Sequence, residues 1–93
     1  MSLNFEWDAK KARSNAEKHG ISFIEASTVF GDPNSLTIPD PLHSADEQRF
    51  VTIGCSQHRK ILVVVSTERG ATLRIISARL ASRRERKQYE EAD

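Results

Sequence analysis

Apolar and polar positions in the first part of this chain follow two periodicities, first that of a β-strand and then that of an α-helix. Residues 4–7 predict a short opening strand. Asp8 is a good N-cap, and it starts a predicted helix that runs to about Lys18 with alanines on one face. Gly20 then ends the helix, because glycine adopts the left-handed conformation of a helix C-cap without strain.

A second predicted helix follows closely. Ser22 and Glu25 have the spacing of a capping box, and apolar residues at helical spacing continue to about Phe30. Residues 31–34 contain Gly, Pro and Asn, which each break a helix for a separate physical reason. Residues 35–47 predict a loop, with at most one edge strand at residues 35–38.

Three strands are predicted in the second half of the chain, at residues 49–56, 60–67 and 71–78. The connections between them are short, which indicates antiparallel neighbours. Residues 61–65 are apolar at both parities, so this strand is expected at the centre of the sheet and covered on both faces.

The tail predicts a third helix, with Ser82 and Glu85 forming a second capping box. This helix is polar nearly all round, so we expect it to fray or to dock outside the monomer. The predicted fold is α+β, with a small antiparallel sheet, two N-terminal helices and one C-terminal helix in the order β-α-α-β-β-β-α.

Length and composition set the class of protein. A chain of 93 residues predicts one domain, residues 1–93. Its single cysteine, Cys55, permits no internal disulfide, and together with the lack of a signal peptide this predicts a cytoplasmic protein. No apolar run approaches the roughly 18 residues that cross a bilayer, so no membrane association is expected.

The net charge of +1 conceals an uneven distribution. Residues 69–87 hold seven Lys or Arg residues, six of them arginine, against the single acid Glu85. Arginine matches phosphate oxygens with its planar fork, so this bias favours a polyanion such as nucleic acid. The alternative is an ordinary solvated charged face.

Several kinds of site are excluded by what the sequence lacks. It has no Gly-rich phosphate loop, no histidine or cysteine pairs at metal-ligand spacing, and no nucleophile elbow, so no cofactor is expected. The first two helices have the arrangement of a helix-turn-helix, but the second of them carries Glu25 and no Lys, Arg, Asn or Gln. Such a helix is unsuited to DNA recognition.

Three places carry residues suited to chemistry, each with a simpler alternative. His19, next to Lys18, is suited to proton transfer, or it caps the helix. Glu68 and Arg69 form a base beside a cation, or a turn ion pair of little energetic value. Arg74 lies among apolar residues, so it is aimed into a cleft or is paired with an acid.

Taken together, these segments resemble the BrnT family of type II toxins. The matching stretches follow one another in order: Phe5-Glu6-Trp7-Asp8; Asn15 with Lys18-His19-Gly20-Ile21; Val29-Phe30 with Asp32-Pro33; Arg49-Phe50 with Ile53-Gly54; Val64-Val65 with Thr67-Glu68-Arg69-Gly70; and Arg74-Ile75-Ile76-Ser77-Ala78-Arg79 continuing to Glu85-Arg86 and Tyr89. The resemblance implies a RelE-like fold and metal-independent RNA cleavage. It also implies a BrnA-type antitoxin with a ribbon-helix-helix domain, through which the complex would bind operator DNA.

For cleavage of this kind we expect the RNA 2′-OH to attack the adjacent phosphate, which leaves a 2′,3′-cyclic phosphate. Glu68 is the expected base and His19 its competitor for the acid or base role. The expected phosphate ligands at the reacting centre are Arg69 and Arg79. The residues expected to bind RNA elsewhere are Lys18, Arg74, Arg83 and Tyr89.

Two other classes of function remain open at this point. A nucleic-acid-binding or co-repressor module would use the same arginines without cleaving RNA. A pure protein-interaction domain would show no salt-sensitive RNA binding.

Overall fold

The computed structural model describes residues 3–40 and 47–92. The elements follow in the order β1 (Asn4–Glu6), α1 (Ala9–His19), α2 (Phe23–Thr28), a 3₁₀ turn (Val29–Gly31), β2 (Leu36–Pro39), β3 (Arg49–Cys55), β4 (Ile61–Arg69), β5 (Thr72–Leu80) and α3 (Arg83–Glu91). The three predicted helices and the α+β class are present. Residues 41–46 of the predicted loop lie outside the described residues.

The sheet has five strands in the order β1-β5-β4-β3-β2, with β4 in the centre as its apolar sequence predicts. The prediction of an antiparallel sheet is wrong for one pair, because β1 runs parallel to β5, with Phe5 opposite Leu73. The predicted order did not count β2, but the edge strand considered for residues 35–38 is present there, and it pairs with β3 along its whole length. Two parallel strands must be joined by a long crossover connection. Here that connection consists of all the elements between β1 and β5.

Local hydrogen bonds define the helix ends. The Asp8 carboxylate accepts from the backbone N–H groups of Lys10 and Lys11, and Gly20 takes the left-handed conformation at φ 71°. The Ser82 capping box is complete. At Ser22 only the hydroxyl half of the predicted box forms, because the buried Glu25 carboxylate instead accepts a bond of 2.7 Å from the Ser56 hydroxyl.

The core lies between one face of the sheet and the two N-terminal helices. We call this side of the sheet the helix face. Its buried members are Leu62, Val64, Ile75 and Ala78, which pack against Ile21, Phe23, Ala26 and Val29. Full burial of such side chains supplies about 1.5–3 kcal/mol each, so this layer is the main source of stability.

A β-bulge in β5 determines which residues face the opposite way. Ser66 pairs with Ile75 but Val65 pairs with Ser77, so Ile76 is an extra residue. The strand parity therefore changes at Ile76. Arg74 and Arg79, which strict alternation places on opposite faces, fall on the same face. The cross-strand register adds Arg49 and Arg69 to that face, which we call the arginine face.

Helix α3 packs against this same chain, next to β3. Its Glu85 carboxylate binds the Arg79 guanidinium through two hydrogen bonds of 2.7 and 2.9 Å. One turn further on, the Tyr89 hydroxyl donates to Asp32 at 2.6 Å. The helix has no buried residue, so these polar contacts substitute for an apolar stripe and hold it in place.

Candidate functional site

A hollow of about 220 Å³ opens where α1 runs along β5. It lies beyond the end of β1, which pairs with β5 only as far as Arg74. We call it the α1–β5 hollow; its lining residues are Lys11, Ser14, Asn15, Lys18, His19, Ile76 and Ser77.

Three of these residues carry or can carry positive charge, and helical geometry brings them together. Lys11 and Lys18 are two turns apart on α1, and His19 is half-buried at the end of that helix. Among the described residues no carboxylate lies within 4.0 Å of these three side chains. Lys11 interacts with Asp8 only at longer range, so the hollow presents to a ligand an imidazole and positive charge that no direct ion pair neutralises.

Asn15 fixes the position of the helix over this hollow. Its side-chain amide donates to the Ala78 carbonyl at 2.8 Å and to the Ile21 carbonyl at 3.1 Å, and its oxygen accepts from the Ala78 N–H at 3.1 Å. A side chain thus completes the hydrogen bonding of β5 on the edge opposite β4, where β1 no longer pairs with it. It does so while 8% exposed.

The arginines of the sheet are held by acids. Arg74 binds the Glu6 carboxylate at 2.6 Å, which is the acid-paired alternative considered above. Arg79 is bound by Glu85, and this contact lowers the pKa of Glu85 to about 2 while raising that of Arg79. Arg74, Ser77 and Arg79 are successive positions on one face, each about 7 Å apart along β5.

Glu68 and Arg69 are separated from this region. Glu68 lies on the helix face beside Ser66 and Leu73, whereas Arg69 lies on the arginine face, 3.7 Å from Glu47. The step along β5 from Thr72, which pairs with Arg69, to Arg79 spans roughly 20 Å. The structure therefore does not bring the expected base Glu68 to the expected phosphate ligand Arg79.

Two further predicted RNA ligands lie on α3. Arg83 is exposed in its first turn, and the Tyr89 hydroxyl binds Asp32. Burial acts to raise the pKa of Asp32, but hydrogen bonds from Tyr89 and from the N–H groups of Cys55 and Asn34 outweigh it and lower that pKa. In this structure Tyr89 anchors α3.

Sequence reasoning missed Lys11, Asn15 and Ser77 as residues of the site. A helical projection of α1 would have placed Lys11, Asn15 and Lys18 on one side, since their spacings are four and three residues. Ser77 carried no such signal, because its orientation depends on the bulge.

The described residues contain no group of three or more His, Cys, Asp or Glu side chains placed to share a metal ion. Within the same residues, no helix combines the length and apolar character that a membrane span requires.

Comparison with known proteins assigns the family. Residues 7–85 match the model of the family described as the ribonuclease toxin BrnT of type II toxin–antitoxin systems. The crystal structure of the BrnT ribonuclease toxin of Brucella abortus is similar, with a TM-score of 0.69 and 27% identity, and the match covers 88% of this chain and 100% of that one. No curated protein sequence matches the chain. The chain therefore belongs to the BrnT family of ribonuclease toxins of type II toxin–antitoxin systems.

Proposed function

We propose that this toxin cleaves RNA at the α1–β5 hollow without a metal ion, and that His19 transfers the proton. The observation that carries the proposal is a half-buried imidazole in a hollow that is also lined by two lysines without a direct ion pair to any described carboxylate. Imidazole is the side chain that most often both accepts and donates protons in acid–base catalysis. This choice favours His19 over Glu68, which lies on the helix face of the sheet.

In the proposed reaction the 2′-oxygen of one nucleotide attacks the adjacent phosphorus. The bond from phosphorus to the 5′-oxygen of the next nucleotide breaks, leaving a 2′,3′-cyclic phosphate and a 5′-OH. The 2′-OH proton passes to His19, and the departing 5′-oxygen gains a proton from an acid or from water. Lys11 and Lys18 lie in the same hollow and stabilise the additional negative charge on the phosphate.

The arginine face extends this site toward the neighbouring nucleotides. Arg74 and Arg79 flank Ser77, which lines the hollow, so they are placed to hold phosphates on either side of the cleaved bond. Each now binds a carboxylate, and a phosphate would take the place of that carboxylate as the partner of the guanidinium. Arg69 and Arg83 would contact more distant phosphates.

We further propose that this chain has the location and the partners that its resemblance to the BrnT family implies. The toxin acts in the cytoplasm, and a BrnA-type antitoxin with a ribbon-helix-helix domain neutralises it. The toxin reaches operator DNA only through that antitoxin. We propose in addition that the fold is RelE-like, as the resemblance to the BrnT family implies.

The test is cleavage of RNA by purified toxin in EDTA, followed by identification of the product ends. We expect cyclic phosphate ends, no cleavage of DNA, and a loss of about 10²–10⁴ in rate for His19→Ala. His58→Ala is the matched control, because His58 is exposed in the turn between β3 and β4. Binding of RNA without cleavage would support a non-catalytic module instead, and full activity of a folded His19→Ala would contradict the assignment of His19.

A further inference from the structure

One end of the helix face is left uncovered by the helices. The 3₁₀ turn ends at Gly31, and beyond it two hollows open on either side of Phe30. One is lined by Phe30, Phe50 and Leu73, with Thr37 and Glu68 also in its wall. The other is lined by Phe30 with Phe5 and Leu3. We call the two together the Phe30 groove.

Two exposed apolar side chains lie in or near this groove. Leu3 is 53% exposed beside it. Ile24 is 65% exposed on α2, one turn before Ser27 and Thr28, which line the second hollow. Clustered exposed apolar side chains next to a concave surface mark an interaction site on a small soluble domain.

The size of the hollows indicates which class of ligand fits them. Their volumes are about 230 and 330 Å³, at or below the lower end of the range of roughly 300–1,000 Å³ for small-molecule sites. Two shallow hollows separated by one aromatic ring are better suited to successive side chains of a protein segment than to one cofactor.

The negative charge of Glu68 at the Phe30 groove indicates what charge a bound protein segment should carry. Glu68 is exposed at one end, and among the described residues no basic group lies within 4.0 Å of its carboxylate. A complementary segment therefore carries apolar side chains for the two hollows and a lysine or arginine opposite Glu68. Such a carboxylate at the rim favours the correct partner and orientation more than it adds affinity.

We infer that the Phe30 groove is the docking site of the antitoxin, which inserts apolar side chains on either side of Phe30 and pairs a basic residue with Glu68. The inference rests on the family assignment, which supplies a protein partner, and it places that partner's anchor on the opposite side of the sheet from the arginine face. Antitoxin affinity and RNA cleavage therefore depend on different side chains.

Two adjacent residues of β2 provide a matched test. Thr37 and Ile38 are both exposed, but Thr37 lines the groove and Ile38 pairs with Val51 on the opposite face. Thr37→Arg places a long charged side chain across the groove, and Ile38→Arg makes the same change outside it. The probe is the purified product of the reading frame adjacent to the gene for this chain.

We expect Thr37→Arg to weaken binding of that product at least a hundredfold, and Ile38→Arg to leave the affinity within about threefold. Both variants should cleave RNA at the rate of the parent when no antitoxin is present. In the parent, the methyl NMR signals of Leu73 should shift on binding, and those of Val51 should not.

Several results would overturn the inference. These are equal weakening by the two variants, shifts confined to Val51, or no binding of the adjacent product to the parent. Dimerisation of the free toxin that Thr37→Arg abolishes would identify a second copy of this chain as the occupant. None of these results bears on the proposed RNA cleavage at the α1–β5 hollow, which is tested in the absence of any partner.

Discussion

At the scale of single residues, Asn15 shows how one amide connects the core to the candidate site. β1 is only three residues long, so beyond Arg74 the edge of β5 that faces away from β4 has no strand beside it. Asn15 binds both the N–H and the carbonyl of Ala78 and thereby takes the place of that strand. The same bonds set the position of Lys18 and His19, which follow on α1.

Replacing Asn15 with Ala should lower the free energy of unfolding by about 2–3 kcal/mol, because buried backbone groups of Ala78 and Ile21 lose their partner. Asn15→Asp should be no better at neutral pH, since a carboxylate would face two carbonyl oxygens. Urea unfolding measures both values. Glu17→Ala on the exposed side of α1 is the control, and an Asn15→Ala loss below about 0.5 kcal/mol would contradict this role.

At the scale of elements, the bulge in β5 marks the limit of prediction from sequence. The apolar pattern correctly predicted β4 as the central strand, and capping residues correctly predicted three helices. Strict alternation could not reveal that Arg74 and Arg79 share a face. The extra residue of the bulge is an isoleucine like its neighbour, so the sequence carries no signal that marks it. The parallel pairing of β1 was also unpredictable, since it depends on a contact between distant segments.

Helix α3 is the second element whose position depends on a few polar contacts. Its apolar content is low, and its position depends on Glu85 and Tyr89. Glu85 also accepts from the Ser82 N–H at 2.8 Å, so one carboxylate both caps the helix and binds it to Arg79. Loss of that charge should loosen the helix and leave Arg79 unpaired.

Glu85→Gln should therefore cost stability in a pH-dependent way. The hydrogen bond from Arg79 is the largest cause that lowers the pKa of Glu85 from 4.5 to about 2. A depressed carboxyl pKa stabilises the fold fully above about pH 4.5, and that stabilisation is lost as the pH falls toward 2. Because the Arg79 side chain is 44% exposed, solvent screening limits the contribution to about 1 kcal/mol.

Urea unfolding at pH 7 and at pH 3 measures this dependence. The parent should lose more stability than Glu85→Gln between the two values, so the difference between the proteins should shrink at the lower pH. Glu91→Gln at the exposed end of the same helix is the control. A difference that stays constant with pH would exclude the Glu85 contact as its source.

At the scale of the whole molecule, the net charge of +1 does not describe the surface that a ligand meets. The sequence located an excess of arginine in residues 69–87, but the structure pairs Arg69, Arg74 and Arg79 with acids. Among the described residues, no ion pair within 4.0 Å is found for the basic side chains of α3, nor for Lys11 and Lys18 of α1, although α1 lies in the half of the chain where acids outnumber bases. Composition could not predict this, because it depends on which acids fold next to which bases.

Salt dependence of RNA binding tests this distribution. For single strands, the slope of log K against log salt changes by about 0.7 for each phosphate contact. Lys11→Gln and Lys18→Gln should each make the slope shallower by about that amount, measured with 2′-O-methyl RNA, which cannot react through a 2′-OH. Lys10→Gln is the control, because Lys10 neighbours Lys11 but does not line the hollow. An unchanged slope in the Lys11 and Lys18 variants would show that phosphates bind elsewhere.

The parallel pairing of β1 with β5 has a consequence for synthesis on the ribosome. Glu6 finds its partner Arg74 only 68 residues later, so the sheet closes after nearly the whole chain has been translated. Contacts of such long sequence separation are slow to form. Fragments released by premature termination before β5 lack Ser77 and the strand edge that Asn15 binds, and they should therefore be harmless to the cell.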